Sequence, residues 1–189
     1  AEACRNLTCV GATPLAITNC LNFGDPDKPA VYYQLEQVIR GMAEACRMFD
    51  IPVISGNVSL YNETHGQPIY PTPVVGALGL LDELMAHVTA GFQMAGDIVV
   101  LLGTGTLAQR QETLGGSEYL QLIHSQVGGC PEIDLSLERR VQECCRRAIG
   151  KKLLSSAHDC SDGGLGIALA ECCILGNLGF EAEISLPQR

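Results

Sequence analysis

The chain has 189 residues, of which 47% are hydrophobic, 5% are aromatic and none is tryptophan, so we expect an aliphatic core in one large or two small domains. The formal net charge is −9, from 12 Lys and Arg against 21 Asp and Glu, which argues against a nucleic acid or an anionic membrane as partner. The ten cysteines contain no C-x-x-C pair. We expect them to be unpaired, small apolar residues of a cytoplasmic protein.

The first half of the chain predicts strands that alternate with one long helix. Apolar residues recur at helical spacing after a turn in which Pro29 stands near the first helical position, so this helix should be amphipathic and run about five turns. The predicted elements are a strand at 14–17, a helix at 31–49 that ends at Asp50, a strand at 51–55, a loop or hairpin at 61–71 and a strand at 72–81.

The second half predicts a separate mixture of helices and strands. Its predicted elements are a strand at 97–103, a helix at 114–126 with Ser117 as a possible cap, a helix from Asp134 with Leu137, Val141, Cys144, Cys145 and Ala148 on one face, a strand at 153–159, a helix at 161–175 and a strand at 179–186. The helix at 161–175 is apolar almost all round, so we expect it to be buried. The sequence thus predicts two α+β units, residues 1–81 and 97–189, joined by a linker at 82–96.

The segment Gly56-Asn57-Val58-Ser59 places polar residues where a strand should continue. Gly56 has no Cβ, so a phosphate or nucleotide could approach the backbone there. Asn57 offers an amide oxygen to a hard cation such as Mg²⁺, and in a strand Ser59 would point to the same side as Asn57. The alternative is a β-bulge whose polar side chains are satisfied by internal hydrogen bonds.

Asn19 likewise places a polar residue at the end of an apolar strand, and it would meet Gly56 and Asn57 if the two strands were neighbours. The alternative is that Asn19 caps a turn.

A second polar segment offers a candidate anion site. Asp162 could cap a helix while Gly163 and Gly164 expose the first N–H groups of that helix, which would bind an anion. An ordinary capped helix is the alternative there.

Two further patterns are weaker. His158, beside Asp159, is more often a satisfied core histidine than a catalyst. Residues 103–108, GTGTLA, formally fit the start of a dinucleotide-binding fingerprint. The stretch that follows is polar, and no acidic residue stands at a strand end some 20 residues on, so a nicotinamide-binding domain is disfavoured.

Longer blocks carry a family resemblance. The segments PLAITNCLNFGDPDKP, PVISGNVSLYNET, LGGSEYL and SAHDCSDGGLGIALAE resemble the synthetase subunit of phosphoribosylformylglycinamidine synthases, and the resemblance covers essentially the whole chain. That family contains two repeats related to aminoimidazole ribonucleotide synthetase, each with an N-terminal α/β domain and a C-terminal α+β domain. The resemblance implies a PurM-like fold and places this chain in the second repeat, truncated at both ends.

The resemblance also implies a reaction and its participants. ATP with Mg²⁺ would activate the amide of formylglycinamide ribonucleotide as an iminophosphate, and ammonia from glutamine would displace phosphate to leave the amidine. The implied partners are a glutaminase subunit, a small bridging subunit and the first repeat of the parent chain. The family's catalytic histidine and most of its acidic metal ligands belong to that first repeat. We therefore expect no catalytic residue here and no activity from this chain alone.

Individual roles are implied by matching motifs. Gly56 and Asn19 resemble nucleotide contacts, Asn57 resembles a Mg²⁺ ligand, and Ser59 resembles a substrate contact. Many members of the family carry Asp where this chain has Asn19, and the lost charge weakens any metal-linked role at that position. A non-catalytic, nucleotide-holding or structural repeat is the alternative function.

Overall fold

A computed structural model describes residues 1–103 and 114–183. Helices and strands are mixed within the described residues, as expected for an α+β fold. The helices are α1 Glu2–Cys9, α2 Pro29–Phe49, α3 Glu118–His124, α4 Leu135–Gly150 and α5 Gly164–Gly176. The strands are β1 Thr13–Asn22, β2 Val53–Ser59, β3 Glu63–Thr64, β4 Gln67–Pro68 and β5 Thr72–Leu80, and a 3₁₀ turn covers Leu84–Ala86.

The strands β1 and β2 and the helix α2 form a β-α-β unit. The sheet has the order β2-β1-β5, with β1 parallel to β2 and antiparallel to β5. A parallel pair needs a crossover connection, which α2 supplies. The predicted bounds of α2 are confirmed: Pro29 occupies its first turn, and Asp50 ends it in a left-handed conformation with φ 56°.

The core of this unit lies between β1 and the helices. Ile17 packs with Cys4 of α1 and Ile51, while Leu21 and Phe23 pack with Val31 of α2. Burial of each such aliphatic side chain contributes about 1.5–3 kcal/mol. The predicted apolar face of α2 supplies Leu35, Val38, Met42, Cys46 and Phe49 to these clusters. Ile39, predicted on the same face, is instead 47% exposed.

The strand β2 does not end where the sequence predicted. It continues through Gly56 to Ser59, and its residues pair with β1 in parallel from Thr18↔Ser55 to Asn22↔Ser59. The register shift in this pair lies one step earlier, between Ile17 and Thr18. The predicted exit, and the bulge offered as its alternative, are therefore wrong, because the backbone from 55 to 59 is held by regular pairing with β1.

The segment after β2 is the hairpin that its turn-forming residues predicted. β3 and β4 pair in antiparallel register, Glu63 opposite Pro68 and Thr64 opposite Gln67. The two residues between them, His65 and Gly66, both have positive φ, 51° and 74°, as expected for a two-residue hairpin loop. β5 then covers most of the predicted strand at 72–81.

Two helices of the second half begin where the sequence predicted, at the predicted cap Ser117 and at Asp134. The Ser117 hydroxyl accepts the N–H of Leu120, and the Asp134 carboxylate accepts the N–H of Leu137, as N-cap side chains do. The inward face of α4 is partly as predicted: Cys145 is buried, but Cys144 is exposed, and the other buried residues are Gln142 and Ile149, which were not predicted.

Over the described residues of the second half, several predicted strands do not form. Residues 97–103 form no strand, and Ile98 is 88% exposed. Within 153–159 there is one isolated bridge, from Ser156 to Thr89. Residues 179–183 form no strand, and the remainder of that predicted strand lies outside the described residues. A strand requires a paired neighbour, and no described segment pairs with these stretches beyond that bridge.

The helix α5 forms as predicted, but its expected burial is wrong. Ala168 and Cys172 are buried, while Ile174 is 78% exposed, since no described layer covers that side of the helix. Within the described ranges, no helix is both long and apolar enough to span a membrane.

The helix α4 contacts the first unit directly. Arg139 donates to the Met48 carbonyl at 2.8 Å, and Arg5 of α1 pairs with Glu138 at 2.7 Å. The division into units at 1–81 and 97–189 stays a prediction.

Candidate functional site

Alternation along the sheet separates the predicted site residues onto two faces. Asn19 lies opposite Gly56, whereas Asn57 lies opposite Cys20 and Ser59 opposite Asn22. Paired residues in a sheet share a face, and successive residues alternate. Asn19 therefore faces the helices, as its neighbours in the core clusters do, while Asn57 and Ser59 lie on the uncovered face.

Gly56 is required by the close approach of β1. A Cβ at this position would stand 2.5 Å from both the carbonyl oxygen and the side-chain Oδ1 of Asn19. Real Cβ atoms do not approach oxygen that closely, so any side chain would push the two strands apart. The missing Cβ thus makes room for Asn19, a reason that the sequence alone did not suggest.

An open cavity of about 360 Å³ crosses the three strands at this point. It brings together Asn19, Gly56 and Asn57, which confirms that the two polar strand segments meet. The cavity is lined by Thr18, Asn19, Cys20, Ser55, Gly56, Asn57, Val74 and Gly76. The pairing places most of these residues on the uncovered face, so Asn19 and Gly56 contribute chiefly backbone. Ser59 does not line the cavity and lies two residues further along the same face.

The polar side chains on this face are available to a ligand. Neither the Asn57 amide nor the Ser59 hydroxyl has a hydrogen-bond partner among the residues that the structure describes. The backbone at Ser59 is nevertheless fixed, because its carbonyl accepts from Phe23 N at 3.0 Å and from Asn62 Nδ2 at 2.9 Å. Asn62 was missed as a positioning residue, although Asn just after a strand is a common turn signal.

Two hydroxyl residues of the cavity were also missed by sequence reasoning. Thr18 and Ser55 are paired across the two strands and extend the same polar face. The signal was present in the sequence, because Ser55, Asn57 and Ser59 recur every second residue, which is the period of one face of a strand.

The cavity lining fits a Mg²⁺ ion that is bound together with substrate phosphates. It does not fit a Mg²⁺ ion held mainly by protein carboxylates. Its polar groups are amides, hydroxyls, the Cys20 thiol and backbone, and none of the described residues brings a carboxylate to the lining. Elsewhere in the described residues, no group of three or more His, Cys, Asp or Glu could hold a metal ion. Mg²⁺ commonly keeps several water ligands and is bound largely through substrate phosphates. In such a site Asn57 would supply one neutral oxygen ligand.

The predicted anion segment has a different local structure from the one expected. Gly163, not Asp162, is the N-cap of α5, with φ 75° and no side-chain cap. The first helical N–H, that of Gly164, already donates to the Ser161 carbonyl at 3.0 Å. Capping by Asp162 is therefore wrong, and the anion site stays a prediction with one donor fewer than expected.

His158 joins two carboxylate residues near α5. Its Nδ1 lies 2.7 Å from the Asp159 carbonyl oxygen, and its Nε2 lies 3.3 Å from Oε2 of Glu171. The Asp159 Oδ2 is buried without a hydrogen-bond partner among the described residues. These contacts match a satisfied histidine better than a free catalyst. Most of the GTGTLA segment lies outside the described residues.

The comparison with known families assigns both halves of the chain. Residues 1–81 match the AIR synthase related protein N-terminal domain. Residues 94–189 match the AIR synthase related protein C-terminal domain. The chain belongs to the AIR synthase related family. The two matches occur in the order that the resemblance implied.

Curated relatives of this family are similar over nearly the whole chain. The chain is 57% identical over 180 residues to phosphoribosylformylglycinamidine synthase subunit PurL of Thermomicrobium roseum, which covers 95% of this chain and 24% of that protein. It is 51% identical over 184 residues to subunit PurL of an Anaeromyxobacter species, with 97% and 23% covered. The chain thus spans about a quarter of the length of the curated relatives it matches.

A solved structure supports the fold. One chain of a HypE–HypF complex superposes with a TM-score of 0.65 at 18% identity, over 93% of this chain and 53% of that one. At this identity the likeness shows a common fold and nothing about function.

Proposed function

We propose that this chain is the second-repeat segment of the synthetase subunit of a phosphoribosylformylglycinamidine synthase. The observation that carries the proposal is the identity of 51–57% to PurL subunits over 95% or more of the chain. Such a protein is an ATP-dependent ligase of purine biosynthesis that acts in the cytoplasm. Because the chain spans about a quarter of these relatives, we expect it to be inactive by itself.

The proposed reaction uses three substrates. ATP phosphorylates the amide oxygen of formylglycinamide ribonucleotide and leaves as ADP. Ammonia, released from glutamine by a glutaminase subunit, then attacks the activated carbon, and phosphate departs to leave the amidine. A small bridging subunit and the first repeat of the same polypeptide complete the proposed assembly.

The uncovered sheet face supports a division of roles. Asn57 and Ser59 present an amide and a hydroxyl without described partners, two residues apart on one face. Asn57 would contribute an oxygen ligand to Mg²⁺, which neutralises phosphate charge when bound, and Ser59 would contact formylglycinamide ribonucleotide. Gly56 and Asn19 would contact the nucleotide through backbone, given that the Asn19 side chain faces the helices.

Steady-state kinetics of Ser59→Ala in the intact synthase test this proposal. A lost hydrogen bond is worth about 0.5–1.5 kcal/mol, so kcat/KM for formylglycinamide ribonucleotide should fall about 2- to 13-fold. The same parameter for ATP should change less. Ser136→Ala, at an exposed position in the first turn of α4, is the matched control and should behave as the parent does. Equal kinetics for both variants would exclude a substrate contact at Ser59.

A non-catalytic, nucleotide-holding repeat is the second candidate. It is favoured by a cavity lining to which the described part of the chain contributes no carboxylate, and by the Asn at position 19. In that case nucleotide would remain bound through many turnovers, and Ser59→Ala would alter thermal stability with nucleotide while leaving kcat/KM unchanged.

A further inference from the structure

Half of the chain's basic residues are concentrated in one short segment. Six of the 12 Lys and Arg fall within 139–152, although the chain as a whole carries −9. The six residues are Arg139, Arg140, Arg146, Arg147, Lys151 and Lys152. Sequence reasoning missed this concentration because it weighed the net charge of the whole chain.

Five of these six cations divide between two sides of α4. Arg139 and Arg146 point towards the first unit, where they donate to the Met48 carbonyl at 2.8 Å and to the Thr8 hydroxyl at 3.2 Å. Arg140, Arg147 and Lys151 are exposed and make no ion pair within the described part of the chain. We call these three residues the basic stripe.

The basic stripe runs along the outer face of the helix. Its members are seven and four residues apart, so they fall on one side at 3.6 residues per turn and span about 16 Å. The buried residues Gln142, Cys145 and Ile149 occupy the opposite side. The stripe therefore points away from the core.

Stabilisation of the helix dipole does not account for the whole stripe. Cations favour the last turn of a helix, which explains Arg147 and Lys151 near the end of α4 at Gly150. Arg140 is the sixth residue of this helix and gains nothing from that effect. Glu143 lies on the same face, three residues after Arg140 and four before Arg147, and offsets one of the three positive charges. The stripe with Glu143 therefore keeps a net positive charge of two that the dipole does not explain in full.

The surface between the cations suits a helix. An open cavity of about 470 Å³ follows the stripe. Besides the three cations its lining has one carboxylate, Glu143, and a less polar part formed by Cys144 and Ala148, one turn apart, and by Leu153, which is 71% exposed. Small side chains along a helix let a second helix approach to about 8–10 Å.

We propose that the basic stripe docks an acidic amphipathic helix of a partner protein. Carboxylates of that helix would pair with Arg140, Arg147 and Lys151 while its apolar seam covers Cys144 and Ala148. A nucleic acid fits less well. Its negative charge continues beyond a stripe about 16 Å long, and a chain with a net charge of −9 would repel it on either side of the stripe.

Fluorescence anisotropy with the 189-residue chain tests the docking. The probe is a labelled synthetic helix of about five turns, with Glu residues flanking a Leu and Ala seam, and its control has Gln in place of each Glu. The acidic peptide should bind about tenfold more tightly than the control, and this advantage should vanish between about 50 and about 500 mM salt.

Variants separate helix docking from simple charge attraction. The double variant Arg140→Glu/Arg147→Glu should lose about tenfold in affinity, whereas Arg40→Glu, an exposed cation of α2, should not. Cys144→Tyr keeps the charge but blocks the seam, so it should also weaken binding. Circular dichroism checks that each variant is folded.

Four results would overturn the proposal. The acidic and Gln peptides could bind equally, the stripe variants could bind as the parent does, a short DNA duplex could bind more tightly than the peptide, or inorganic phosphate could displace the peptide at millimolar concentration. The DNA result would assign the stripe to nucleic acid, and the phosphate result would assign it to a small anion.

Discussion

Replacement of Gly56 by Ala tests the close approach of β1 and β2 at the centre of the candidate site. The added Cβ would stand 2.5 Å from two oxygens of Asn19, and one of these belongs to the backbone of a paired strand, which cannot rotate away. Overpacking of this kind typically costs about 1–3 kcal/mol. For a domain of this size, that cost corresponds to a decrease in Tm of roughly 2–4 °C per kcal/mol.

Urea unfolding followed by circular dichroism measures the effect, and Gly41→Ala is the matched control. Gly41 lies inside α2, and no described atom outside its own helix backbone lies within 4 Å of an added Cβ, so Ala should stabilise the chain there by about 0.5–1 kcal/mol. The two Gly→Ala changes should thus have opposite signs. If Gly56→Ala is as stable as the parent, the close approach of the strands is refuted, and ligand access would be the remaining reason for this glycine.

Three further predictions concern the interior and the second half. Burial raises the pKa of Cys9 from its ordinary 9.0 to about 12, so above pH 9 the native state keeps a proton that the unfolded state loses. The contribution of Cys9 to the free energy of unfolding is therefore full below about pH 9 and is lost as the pH rises towards 12. Cys9→Ala should reduce that loss of stability when urea unfolding is measured across this pH range. Arg5→Ala removes the partly buried pair with Glu138 and should cost about 1.5–3 kcal/mol in equilibrium unfolding; a cost below about 0.5 kcal/mol would make this an ordinary surface pair. Gly163→Ala at φ 75° should lower Tm, while Gly166→Ala, with open space around it, should raise it or leave it unchanged.

Local signals in the sequence predicted the first unit well. Pro29 and Asp50 bound α2, and the apolar period between them gives its inward face, because both signals depend on the residues themselves. The meeting of the two polar strand segments was predicted only on the condition that the strands are neighbours, and the pairing of β1 with β2 meets that condition. The sequence predicted that Asn57 and Ser59 share a face but not which residues of β1 lie opposite them, since the register after the shift between Ile17 and Thr18 sets that pairing.

The second half was less predictable because its elements depend on distant partners. Residues 97–103 have the composition of a strand, but strand formation requires a neighbour that composition does not reveal. The apolar character of α5 likewise predicted burial, whereas burial depends on which layer covers the helix. The Ser117 cap and the helix start at Asp134 were predictable because the capping bond at each position spans only three residues.

The most direct test of the proposed site is Mg²⁺-dependent amidine formation by the intact synthase, with ammonia supplied in place of glutamine so that the glutaminase is bypassed. Asn57→Leu removes the amide oxygen on the uncovered sheet face, and Gln67→Leu removes an exposed amide outside the cavity. We predict that Asn57→Leu needs a higher Mg²⁺ concentration for half-maximal ATP-dependent activity and that Gln67→Leu matches the parent. Parental activity of a folded Asn57→Leu enzyme at every Mg²⁺ concentration would contradict the assignment of this sheet face as a working site.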